Sequence, residues 1–138
     1  MGSFKGKWAV EEYGPYLVKT TAELSYTTDA ELTHTVEEGF ISDGGSIPKW
    51  AWSIIGSPFV GYYRKSVAVH DKLYATQRDD EGNKITREYA DKVFLDAMRD
   101  EGVALWKRHT MYRAIRLYSW IIWNRHAKKL KEENKELV

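Results

Sequence analysis

The chain changes its hydrophobic rhythm at Pro48, and this change constrains the fold more than any other feature of its 138 residues. Before it, apolar and β-branched residues come in short runs broken by turns; after it, they recur at helical spacing. Residues 7–13, with Trp8, Val10 and Tyr13, and residues 16–27, rich in Val, Thr and Tyr, read as two strands of a hairpin around Gly14-Pro15. Leu32, His34 and Val36 alternate within residues 31–41, which predicts a third strand ending in a turn at Glu37-Glu38-Gly39. His34 lies in that alternation as an ordinary strand residue.

Four helices are expected to follow. Ser46 suits an N-cap and Pro48 a first helical turn, opening a short helix that ends near Gly56. A second runs from about Val60 to Gln77, ahead of the polar turn Arg78 to Lys84. Thr86 caps a third over Arg87 to Glu101, stopped by Gly102, and a fourth extends from about Ala104 to near Glu133. A small N-terminal antiparallel sheet followed by a bundle of about four helices is an α+β arrangement, and a chain of this length fits one domain spanning residues 1–138.

Composition narrows the chemistry. There is no cysteine, which excludes disulfides, thiolate metal sites and cysteine nucleophiles. The segment Met1 to Gly6 carries no apolar signal region, and nothing approaches the roughly 18 uninterrupted apolar residues that span a bilayer, so a soluble, intracellular protein is expected. The net charge of +1 hides an asymmetry: residues 1–102 carry 12 basic and 17 acidic side chains, and residues 103–138 carry 9 and 3. A basic helical tail meets an anionic partner or simply solvates a surface helix. No nucleic-acid-binding motif accompanies it, so nucleic acid is not expected as a partner. Aromatic residues such as Trp120 and Trp123 on the last helix suit a core or a homo-oligomer interface.

Helical spacing places the candidate site. Tyr63, Val67, His70, Tyr74 and Gln77 share a face of the second helix, and Arg87, Asp91, Phe94 and Met98 share one of the third. In an antiparallel pair across the short turn, His70 and Asp91 sit about one turn apart in level. A His70–Asp91 hydrogen bond is expected, in which the carboxylate fixes the imidazole tautomer and the free nitrogen takes a proton from water; a buried pair locking two helices is the structural alternative. Asp71 points about 100° away, toward a cation, a substrate or solvent. The loop Ser42-Asp43-Gly44-Gly45-Ser46 precedes a helix start, where backbone N–H groups and the helix N-terminus favour a phosphate or carboxylate. Tight-turn geometry alone also accounts for its glycines. His109, Arg113 and Arg116 form a polar stripe on the fourth helix, which is either simply solvated or supplies an arginine that offsets phosphoryl charge or pairs with Asp91. Trp50 and Trp52 stand beside the loop as ligand-wall candidates.

The blocks Val36 to Pro48, Ala68 to Tyr74, Ala90 to Met98 and Tyr112 to Arg116 together resemble the DUF1353 family over roughly residues 34–120. Position by position, the family pattern marks Asp43, Ser46, Pro48, His70, Asp71, Tyr74 and Asp91; Gly44 departs from it, standing where the family often has an aromatic or another small residue. The resemblance implies a phage or prophage origin, hence the cytoplasm of an infected bacterial host, and no settled reaction. The His-Asp-x-x-Tyr helix followed by a helix bearing Asp also resembles phospholipase A2, although that family's calcium-loop pattern and cysteines are absent here.

The residues therefore set up three expectations. The first is a small hydrolase acting on a phosphoester or ester, with His70, Asp91 and Asp71 as catalytic candidates. Ser42, Asp43, Gly44, Gly45, Ser46, Trp50, Tyr74, Arg87 and Arg113 are its substrate-binding candidates. The second is a non-catalytic protein that sequesters an anionic small molecule, such as a nucleotide signal of antiphage defence. The third is a virion or assembly component. A divalent cation is compatible with the first two.

Overall fold

A computed structural model describes residues 2–14, 17–48, 50–51 and 63–136. Its elements are β1 (Ser3–Lys5), β2 (Val10–Gly14), β3 (Leu17–Thr20), β4 (Leu24–Thr27), β5 (Thr33–Val36) and β6 (Ile41–Ser42), then α1 (Arg64–Thr76), α2 (Arg87–Glu101), α3 (Leu105–Tyr118) and α4 (Trp120–Glu136). The fold is α+β. The strands form two antiparallel three-stranded sheets, in the orders β1-β4-β5 and β2-β3-β6.

The single strand expected over residues 16–27 is two strands in different sheets. Beyond β3 the Thr21 N–H bonds the carbonyl of Ala9, and β4 then joins the other sheet. The crossing is close: Gly6 has φ +100°, and a Cβ there would meet the Glu23 carbonyl at 2.4 Å. Only glycine fits both constraints. Strand β1 extends the pattern to residues that the sequence reading left unassigned.

Alternation explains how the β1-β4-β5 sheet docks. Leu24 and Tyr26 on β4, and His34 and Val36 on β5, are buried while their neighbours are more open. The three apolar ones pack with Val69 and Leu73 of α1 and with Ala90, Val93 and Ala97 of α2. A second cluster joins Ile47 and Val67 to Phe94 and Met98 of α2 and to Met111 and Ile115 of α3. Each large side chain buried in this way contributes about 1.5–3 kcal/mol relative to exposure.

Helix ends follow the expected chemistry. Thr86 accepts from the Tyr89 N–H at 3.0 Å, and Gly102 at φ +94° ends α2. The start of α1 is capped from outside its own helix: the Glu101 carboxylate accepts from the N–H groups of Lys65 and Ser66 at 3.1 and 3.0 Å. The start expected near Val60, and the short helix beyond Ala51, lie outside the described residues.

The last helix is not continuous as expected. It breaks at Ser119, which is buried and donates its hydroxyl to the Ser46 carbonyl at 2.8 Å. At this point, between α3 and α4, a side chain ties the last helices to the loop.

Candidate functional site

The loop after β6 meets α1 at a chain of hydrogen bonds running through five side chains. His70, on the inner face of α1, stacks on Phe94 with ring centroids 4.6 Å apart. Its Nε2 lies 2.8 Å from Asp91 Oδ1, and its Nδ1 lies 2.8 Å from Ser46 Oγ. The Ser46 hydroxyl also bonds Asp71 Oδ1. Asp71 Oδ2 accepts from the Ser42 hydroxyl at 2.5 Å and from the Gly44 N–H at 2.9 Å. His70 and Asp91 have no solvent exposure, while Ser46 and Asp71 are 3% and 7% exposed.

Asp91 is surrounded by donors. Tyr74 donates to its Oδ1 at 2.6 Å, and Arg116 and Arg87 donate to its Oδ2 at 2.8 and 3.4 Å. Burial opposes ionisation of this carboxyl, but the hydrogen bond from His70, followed by those from Tyr74 and Arg116, holds it below the usual carboxylate range. An ionised Asp91 requires His70 to carry its proton on Nε2. Burial, with Asp91 alongside, raises the Tyr74 phenol, which remains a donor.

The opposite end of the chain behaves differently. Burial pushes the Asp71 carboxyl above its usual range, against the opposing bonds from Ser42 and Ser46. Ser46 has one proton and two partners. Either it donates to Asp71 and accepts from a His70 imidazolium, or a protonated Asp71 donates to Ser46, which then donates to His70 Nδ1. The raised Asp71 carboxyl accords with the second arrangement, in which the Ser46 O–H points at His70 Nδ1. A hydroxyl, an imidazole and a carboxylate then stand in series.

Solvent approaches this series at the Ser46 and Asp71 end. A cavity of about 160 Å³ is lined by Leu17, Phe40, Ile41, Ala75, Asp43, Ser46, Asp71 and His126. Burial lowers the His126 pKa, an effect partly offset by Asp71 and Asp43.

Several expectations need correction. Asp71 does not face solvent, because the loop folds over it and supplies two hydroxyls and two N–H groups, the second from Ser46 at 3.3 Å. The place in the loop's cradle where an anion is expected is filled by the Asp71 side chain. His70 does not present a free nitrogen to water, since Ser46 Oγ occupies Nδ1. Arg113 is exposed, and Arg116, one turn on, makes the contact with Asp91. Trp50 is 47% exposed and packs edge-on against Tyr118 at 5.2 Å, outside the cavity lining; Trp52 lies outside the described residues.

The remaining candidates fall close to their expected places. Tyr74 and Arg87 both bond Asp91, and Arg87 also donates to the carbonyls of Ile115 and Arg116. Asp43 accepts from the Gly45 N–H at 2.7 Å, and a Cβ on Gly45 would fall 2.7 Å from the same oxygen. Gly44 has φ +68°. Among the described residues no group of three or more His, Cys, Asp or Glu is placed to hold a metal ion. Sequence reasoning did not assign roles to Ser119 and His126. Ser119 stood out only as a small polar residue within an apolar helix centre; His126 gave no signal.

A family model described as a protein of unknown function, DUF1353, matches residues 18–115. The matched range includes Ser42, Ser46, His70, Asp71, Tyr74, Arg87 and Asp91, and stops short of Arg116, Ser119 and His126. The chain is also 34% identical over 102 residues to the uncharacterized protein y4jT of Sinorhizobium fredii (strain NBRC 101917 / NGR234), an alignment covering 74% of this chain and 29% of that relative. The chain thus spans less than a third of the curated relative's length. No solved structure matches the chain.

Proposed function

The chain belongs to the DUF1353 family, and we propose that it is a small hydrolase whose nucleophile is Ser46, with His70 as base and Asp91 as the group that orients it. The observation that carries this reading is the unbroken series Ser46 Oγ, His70 Nδ1, His70 Nε2, Asp91 Oδ1, with both links at 2.8 Å. Ser46 Oγ adds to an ester carbonyl as its proton passes to Nδ1. The imidazolium, stabilised by Asp91, returns that proton to the leaving alkoxide. Water then cleaves the acyl-serine with the same base, restoring the enzyme. Proton transfer by a positioned histidine contributes about 10²–10⁴-fold in rate.

The surroundings favour an uncharged ester over a phosphoester. The Asp43 carboxyl lines the cavity, and Asp71 already takes the Gly44 and Ser46 N–H groups that a phosphate would use. Leu17, Phe40, Ile41 and Ala75 give it apolar walls, and about 160 Å³ suits a short acyl group. The same consideration weighs against sequestration of a phosphorylated nucleotide. The likeness to phospholipase A2 rests on His70, Asp71, Tyr74 and Asp91, and an ester substrate is consistent with it.

The test uses p-nitrophenyl acetate and butyrate, together with a fluorophosphonate that phosphonylates activated serines. Hydrolysis lost in Ser46→Ala and His70→Ala, with a single phosphonyl adduct on Ser46, supports the reading. One observation favours a second: His70 and Asp91 have no exposure, and both ring nitrogens and both carboxylate oxygens are bonded within the chain. A purely structural clamp holding α1, α2, α3 and the loop together gives no turnover and no adduct in the wild type.

A further inference from the structure

We propose that the outward face of α3, continued by the start of α4, docks on an anionic lipid bilayer. This is independent of hydrolysis at Ser46. Met111, Ala114 and Ile115 bury one side of α3. On the other side Trp106, Arg113 and Leu117 stand at i, i+7 and i+11, all exposed, with Trp106 at 60% and Leu117 at 66%. Tyr118, Trp120 and Ile121 extend the exposed surface, each near half exposure. Large apolar side chains grouped in this way form a patch rather than isolated exposures.

The charge around the patch selects the occupant. Between Glu101 and Glu132 the chain has no acidic residue and eight Lys or Arg, of which Arg113, Arg125, Lys128, Lys129 and Lys131 are exposed. A second copy packed by two-fold symmetry would set these cations against their equivalents with no carboxylate from the same stretch to offset them. A nucleic acid backbone would meet the cations but leave Trp106, Leu117 and Trp120 unmatched. An acidic lipid surface satisfies both, since phosphates meet the basic side chains while indole, phenol and leucine side chains enter the headgroup boundary. Among the described residues no helix is long and apolar enough to cross a membrane, so α3, about 21 Å long at 1.5 Å per residue, would lie in the surface plane.

The test is co-sedimentation of the full chain with vesicles of phosphatidylcholine containing a quarter phosphatidylglycerol, against phosphatidylcholine alone, with tryptophan emission followed in parallel. Severalfold stronger binding to the anionic vesicles, a blue-shifted emission and weakening by salt are expected. Leu117→Asp and the double variant Arg113→Glu/Lys128→Glu are each expected to bind about tenfold more weakly, at an unchanged melting temperature because these positions are exposed. Equal binding to both vesicle types, or none, overturns the proposal. So does a dimer that Leu117→Asp dissociates in the absence of lipid, or tighter binding to an oligonucleotide duplex than to the anionic vesicles.

Discussion

The Nδ1 atom of His70 lies 2.8 Å from the hydroxyl of Ser46, joining the inner face of α1 to the glycine loop that follows β6. Without this contact His70 and Asp91 would be a pair clamping two helices. With it, they become the buried end of a series whose other end opens on a cavity.

Ser46→Ala separates chemistry from stability. It removes the proposed nucleophile and leaves His70 Nδ1 and Asp71 Oδ1 each short of one partner. Ester turnover is expected to fall by about a thousandfold or more, with a stability loss of about 1–3 kcal/mol for the unpaired buried groups. Urea unfolding and initial rates on the same preparation check both parts.

Asp91→Asn places an amide among four donors, at a site with no exposure. The amide NH₂ faces donors on at least one side, and the charge that balances Arg87 and Arg116 is gone. Breaking a buried ion pair from one side costs about 3–5 kcal/mol, and the denaturation midpoint should move accordingly. Arg116→Ala, which removes one charge-assisted bond, is expected to cost about 1–2 kcal/mol. Arg113→Ala should stay within about 0.5 kcal/mol, as is usual for exposed positions.

The two buried aspartates predict opposite pH dependences. Asp91 is held below its ordinary value when folded, so its contribution is present above the unfolded carboxylate range and is lost as pH falls through the lowered value. Asp71 is raised, so its contribution is present below the unfolded range and is lost as pH rises through the raised value. An asparagine at position 71 can accept from Ser42 and Gly44 and donate to Ser46, reproducing the protonated acid. Asp71→Asn is therefore expected to fold and to lose the decline in stability on the rising-pH side. Thermal melts across a pH series check this; an unchanged slope contradicts the assignment.

Ser119→Ala tests the tie between the last helices and the loop. Its hydroxyl bonds the Ser46 carbonyl at 2.8 Å, and losing that bond should cost about 1 kcal/mol. Ester turnover should fall more than stability implies, because the peptide of the proposed nucleophile loses a restraint; rates measured well below the melting temperature show whether it does.

The helix pairing was legible in the sequence because periodicity and caps agree there: Thr86 and Gly102 bound α2 where expected, and the i, i+4 face of α1 carries His70 and Tyr74 to Asp91. What was not legible depended on contacts between distant segments. Spacing sets Asp71 about 100° from His70 on the helix, but it cannot show that a loop 25 to 29 residues upstream covers that carboxyl and joins the two through Ser46. The same limit hid the break at Ser119, whose local sequence is helical and whose partner is 73 residues away. The division between β3 and β4 likewise follows from a crossing at Gly6 rather than from any turn residue in that segment. Arg116 and Arg113 share the expected polar stripe, and only packing against α2 decides which of them reaches Asp91.

Mass spectrometry of the full chain after incubation with a fluorophosphonate tests the nucleophile most directly. One phosphonyl group on Ser46 in the wild type, with none in His70→Ala even though that variant is folded at the labelling temperature, is the predicted result. A folded wild type that stays unlabelled, or labelling that persists without His70, contradicts the account.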